Sequence, residues 1–143
     1  MRRSNDRRSI LIVLLAGCST AALDGQAILR PTCAPNDAAS VELVVPESST
    51  EYPQLRVVVW RSAVEGTTVT VPGAGGKNGT AVRCRTSTDC RELPSATVSF
   101  GRMRADASGG RAIDVRIDAR LPGGTRVRKS RRAKWQETRM LCG

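Results

Sequence analysis

Along much of the chain, apolar and polar residues alternate with a period of two, and turn-forming clusters break the pattern at short intervals. The clearest stretch is AIDVRIDARL (112–121), where Ile113, Val115, Ile117, Ala119 and Leu121 alternate with Asp114, Arg116, Asp118 and Arg120. One face is apolar and the other charged, which predicts an antiparallel strand with one wet side. Further β-rich stretches are VELVV (41–45), LRVVVW (55–60), TTVTV (67–71), TAVRC (80–84), ATVSF (96–100) and TRVRKS (125–130), with RAKWQETRM (132–140) as a candidate eighth. In LRVVVW three valines run together, which predicts a central strand covered on both faces.

Turn chemistry separates these stretches: Pro46-Glu47-Ser48-Ser49, the glycine-rich run 71–79, Ser108-Gly109-Gly110 and Pro122-Gly123-Gly124. Loop length fixes register. A three-residue loop at 122–124 pairs Leu121 with Thr125 and Ala119 with Val127, and sets Asp118 opposite Arg128; a two-residue loop would mix the faces. The expected fold is all-β: a single antiparallel β-sandwich or barrel-like domain of about seven or eight short strands. No segment shows convincing helical periodicity.

The N-terminus departs from this pattern. Arg2, Arg3, Arg7 and Arg8 precede the apolar block Ile10–Leu15, which ends in Ala16-Gly17-Cys18. A membrane-spanning helix needs about 20 apolar residues, and this block is far shorter. A charged start, a short apolar stretch and a small-residue cleavage site together read as a secretory signal peptide. Leu15-Ala16-Gly17-Cys18 closely resembles the bacterial lipobox, the leucine, small, small, cysteine pattern of lipoprotein signal peptides. The resemblance covers residues 1–18. It implies a diacylglycerol on the Cys18 thiol, cleavage after Gly17 and acylation of the new amino terminus, so that acyl chains anchor the protein without a spanning helix. Serine at position 19, in place of the aspartate of inner-membrane retention, implies sorting to the outer membrane. Arg7-Arg8-Ser9-Ile10-Leu11 also resembles a twin-arginine motif, but the strongly apolar block favours the general secretory route. The expected organisation is a signal peptide (1–17), a lipidated N-terminus and tether (18–32) and the β domain (33–143).

With Cys18 given to lipid, four of the five cysteines remain: Cys33, Cys84, Cys90 and Cys142. An even number in an exported domain reads as two disulfides, with three connectivities open. Cys84 and Cys90 bracket a short polar loop, which favours a local bridge and leaves Cys33 to pair with Cys142. Beyond the lipobox, the mature chain loosely resembles small two-disulfide lipoproteins of unknown function.

Composition narrows the chemistry. Aromatic residues are only 3%, so the core must be built from Val, Ile, Leu and Ala. There is no histidine, which removes the commonest general base and metal ligand and leaves no partner to activate a thiol. GAGGKNGT (73–80) is not a phosphate-binding loop, since Val71 stands where its first glycine belongs and Asn78 where its Ser or Thr belongs. Asn78-Gly79-Thr80 matches a glycosylation sequon in form but reads as a turn. No catalytic residue, metal site or cofactor is expected.

Net charge is +10, and loss of residues 1–17 takes away four arginines and one aspartate to leave +7. The charge concentrates in RVRKSRRAKWQETR (126–139): Arg126, Arg128, Lys129, Arg131, Arg132, Lys134 and Arg139 face a single acid, Glu137. Such a run serves as a solvated edge that blocks strand pairing, or as a contact for anionic polymers or lipid headgroups. The interleaved aromatics of a nucleic-acid groove are lacking, with Trp135 alone inside the run. The expected function is that of a lipid-anchored, non-catalytic envelope lipoprotein, a structural, adhesive or binding accessory. The first rival is an anion-binding module using 126–139, and the second a hydrolase or enzyme inhibitor presenting loop 72–80 or 85–89.

Overall fold

The computed structural model describes residues 25–142. The expected signal peptide, Cys18 and the first part of the expected tether lie outside this range. The strands are β1 (Ala27–Cys33), β2 (Ala39–Pro46), β3 (Gln54–Val59), β4 (Thr68–Val71), β5 (Gly79–Cys84), β6 (Cys90–Glu92), β7 (Ser95–Ala105), β8 (Arg111–Arg120) and β9 (Arg126–Trp135), with one 3-10 turn at Ala74–Gly76. They form one nine-stranded sheet in the order β4-β7-β8-β9-β1-β2-β3-β5-β6. The sheet is not closed. It rolls over so that β4 comes against β3 and β5, and the inward side chains of both halves make one core.

The period-two pattern decides which residues fill that core. Ile113, Val115, Ile117 and Ala119 are buried, whereas Asp114, Arg116 and Arg120 are exposed. From the other half of the sheet, Leu29, Leu43, Val45, Leu55 and Val57 are fully buried against them. The β8–β9 hairpin takes the three-residue register, with Ala119 opposite Val127 and Asp118 opposite Arg128. Leu121 N–H donates to the Thr125 carbonyl at 2.7 Å, and Gly123 and Gly124 turn the chain at φ +92° and +94°, a region closed to most other residues. β3 is central, between β2 and β5. Its inward valines are buried and Val58 on the other face is half-buried.

Three expectations are corrected. The sheet is mixed, because β1 runs parallel to β9 at Ala27–Ala133, Ile28–Lys134 and Leu29–Trp135. Residues 27–32, read as tether, are strand, so the domain begins ahead of Cys33. Pro31 is tolerated because β9 pairs only with residues 27–29, leaving β1 one partner at Pro31. The segments 125–130 and 132–140 are not two strands, since β9 runs unbroken to Trp135 and the chain beyond it carries no regular structure.

Both disulfides take the expected pairing. Cys84–Cys90 joins directly opposed residues of β5 and β6. Cys33–Cys142 spans 109 residues and ties the tail beyond β9 to the end of β1.

Candidate functional site

Rolling the sheet leaves its outer surface to solvent, and on β8 and β9 that surface is cationic. The register builds it in rows: Thr68–Ser99–Arg116–Ser130, then Thr70–Thr97–Asp118–Arg128, then Ser95–Arg120–Arg126. Hydroxyls of β4 and β7 pair across the strands, Thr68 with Ser99 at 3.0 Å and Thr70 with Thr97 at 2.9 Å. On the cationic side, the Asp118 carboxylate accepts from Arg126 Nε at 3.1 Å and Arg128 Nε at 3.0 Å. Partial burial draws the Asp118 pKa up, but the Arg128 hydrogen bond and the charges of both arginines outweigh it and hold the carboxyl below its ordinary range. Among the described residues, Arg116, Arg120, Arg132 and Lys134 have no ion-pair partner.

The seven cations of 126–139 do not lie on one face. Arg126, Arg128, Arg132 and Lys134 point outward, whereas Lys129 and Arg131 take the opposite parity, across from the buried Ile117 and Val115, and are half-buried. Arg139 lies in the exposed tail. Acids also come closer than Glu137, which pairs with Arg111 at 2.9 Å. Asp114 stands opposite Arg132. Asp106 titrates below its ordinary range, first through the Ser108 hydroxyl and in smaller part through the Lys134 charge. Residues 126–132 form an open edge, because β1 reaches only Ala133–Trp135. Their charges therefore also discourage strand addition.

A second feature escaped the sequence reading. On the outer face of β1, β2 and β3, Glu42 is 6% exposed and sits between two arginines. Arg30 Nε donates to Glu42 Oε2 at 2.7 Å and Arg56 Nε to Oε1 at 2.8 Å, with Arg56 Nη2 also on Oε1. Arg30 and Arg56 also line a cavity of about 290 Å³ whose other walls include Ile28, Val44, Tyr52 and Gln54. Gln54 is also 6% exposed. The sequence did carry a signal: Glu42 and Arg56 are single charges inside apolar runs, and a charge placed there needs a partner.

The remaining candidates are two loops and a tryptophan. Loop 72–78 is braced by Asn78, whose Nδ2 donates to the Thr70 carbonyl at 3.0 Å. Loop 85–89 is closed by its disulfide and by the Thr86 hydroxyl, which accepts the Asp89 N–H at 3.1 Å. Trp135 packs on the core with the Arg111 guanidinium 5.7 Å from its ring centre. Among the described residues no group of three or more Cys, Asp or Glu is placed to hold a metal. These features define a disulfide-stapled all-β domain with a cationic outer face. No protein-family model, curated protein or solved structure matches the chain.

Proposed function

We propose that the chain is an exported, lipid-anchored β domain of the outer membrane that works by binding and not by catalysis, and that its ligand is an anionic envelope polymer. The lipobox-like Leu15-Ala16-Gly17-Cys18 supports the anchor, and two disulfides support an oxidising compartment. The observation that carries the binding reading is the outer face of β8 and β9. There Arg116, Arg120, Arg132 and Lys134 stand without ion-pair partners among the described residues, beside a hydroxyl-bearing strip. A polymer with alternating charge and hydroxyl finds both on one surface.

The test is binding of the full chain, held in neutral detergent, to polygalacturonate and to neutral dextran. Polygalacturonate should bind with an affinity that falls steeply as salt rises. Each cation at an anionic surface contributes about 1 kcal/mol, so Arg132→Ala with Lys134→Ala should weaken binding roughly thirtyfold. Arg131→Ala, on the other face, should leave it unchanged. Equal binding of dextran, or no loss in the double variant, overturns the reading.

A further inference from the structure

We infer that the two-arginine cavity on β1–β3 is a seat for one carboxylated sugar unit, joined by a groove to the cationic face; this rests on the anionic-polymer reading and names the ligand chemistry. Continuity comes from the register. Lys134, Ile28, Val44 and Arg56 occupy one row across β9, β1, β2 and β3. Three strand spacings put Lys134 and Arg56 roughly 14 Å apart along the sheet. Gln26 and Ile28 line the two-arginine cavity and also an adjoining one of about 250 Å³ bordered by Lys134. The two cavities therefore share a wall on β1, through Gln26 and Ile28, on the way from β9 to the seat.

The donors in the seat fit a carboxylate. Glu42 takes the Nε edge of each guanidinium and holds both in place. Each guanidinium carries five N–H groups, so Nη1 of Arg30 and of Arg56 keeps its donors for a ligand. A planar oxygen pair matches that fork. Glu42 and the rim residue Glu51 balance Arg30 and Arg56, so the cavity has no net positive charge to gather a polyanion, and a carboxylate is held there by directed N–H donors.

Gln54 adds the sugar. Gln54 lines the cavity while only 6% exposed, and among the described residues its side-chain amide makes no hydrogen bond. An amide both donates and accepts, as a sugar hydroxyl does, whereas a bare carboxylate answers only its N–H side. Ile28, Val44 and Pro46 give an apolar floor and Tyr52 an aromatic wall for the C–H face of a ring. A volume of about 290 Å³ lies just under the usual range of ligand sites, roughly 300–1,000 Å³, and so has room for no more than one ring.

The experiment is calorimetric titration of the full chain in neutral detergent with trigalacturonate and with its methyl ester. Trigalacturonate should bind with an affinity that changes little with salt, unlike the polymer. The methyl ester and the Gln54→Leu and Tyr52→Ala variants should each lose about tenfold or more, as expected where a polar site meets a mismatched partner. Neither variant touches the Arg30–Glu42–Arg56 group, and the methyl-ester comparison needs no variant at all. Equal affinity for acid and ester, or full affinity in Gln54→Leu, overturns the site. Polymer binding without trigalacturonate binding removes the seat and spares the cationic face; trigalacturonate binding without polymer binding does the reverse.

Discussion

Asp118 and Arg128 face one another across the β8–β9 hairpin, and the Asp118 carboxylate takes the Arg128 Nε–H at 3.0 Å while also holding Arg126. The carboxyl consequently titrates below its ordinary range. A carboxyl depressed in the folded state adds stability that is full above its unfolded pKa and is lost as pH falls through the lower, folded value. Acidification from neutrality to below the ordinary carboxylate range should therefore cost the native protein more stability than it costs Asp118→Asn. Urea midpoints of both proteins at the two pH values check this, and equal losses would show that the pairing has no thermodynamic weight.

The same carboxylate restrains the proposed polymer surface, because it offsets the charge of two exposed arginines. Asp118→Asn should tighten polygalacturonate binding and steepen its salt dependence. Titration of the polymer at two ionic strengths reads both effects. Weaker binding in the variant would mean that Asp118 contacts the ligand itself.

The two disulfides should differ in worth. In the chain-entropy account a bridge closing about 110 residues contributes about 4–5 kcal/mol, and one closing a short loop about 2–3 kcal/mol. Cys33→Ala with Cys142→Ala should therefore lower the denaturation midpoint further than Cys84→Ala with Cys90→Ala. The comparison has a competing effect to overcome, since Cys84 is fully buried and its replacement also thins the packing there. A larger loss from the local pair would place the stabilisation in packing and not in chain entropy.

What was legible in the sequence follows from how local each signal is. β8 announces itself because every second residue is apolar, and the Pro122-Gly123-Gly124 turn then fixes the parity of the next strand. β1 is silent because only Ala27 and Leu29 are buried, Pro31 is a residue that strands disfavour, and part of its pairing is with β9, more than a hundred residues away. β6 is silent for another reason: Cys90, Arg91 and Glu92 are all exposed, and it is held by β5 and a disulfide. The basic segment is visible as composition, yet its division between two faces emerges only once the strand is known to run unbroken through Lys129 and Arg131. The two-arginine cavity draws Arg30, Glu42 and Arg56 from three strands, and no spacing along the chain brings them together.

The proposed anchor makes a prediction of its own. If Cys18 carries the lipid, Cys18→Ser should accumulate as an unprocessed precursor that takes up no labelled fatty acid. Normal processing and membrane retention of that variant would remove the lipoprotein reading. The β domain would be untouched, because its folding uses only the cysteines beyond it.

Glu42 offers the sharpest test of the charge arrangement on β1–β3. Its carboxylate is almost wholly buried, while the side chains of Arg30 and Arg56 remain 38% and 35% exposed. Removing one member of a buried ion pair typically costs about 3–5 kcal/mol, because the partner is left desolvated and uncompensated. Here water reaches both arginines and screens part of that penalty, so Glu42→Gln should destabilise by about 1–3 kcal/mol. The glutamine still offers an oxygen to one guanidinium, but it leaves two like charges facing each other across the strands. Arg30→Met with Glu42→Leu and Arg56→Met removes the whole group, and it should recover most of the loss, since apolar side chains of similar size satisfy the site without charge. Urea denaturation of both variants settles the matter. A triple variant less stable than Glu42→Gln would mean that the ion group holds the strands together and does not merely neutralise itself.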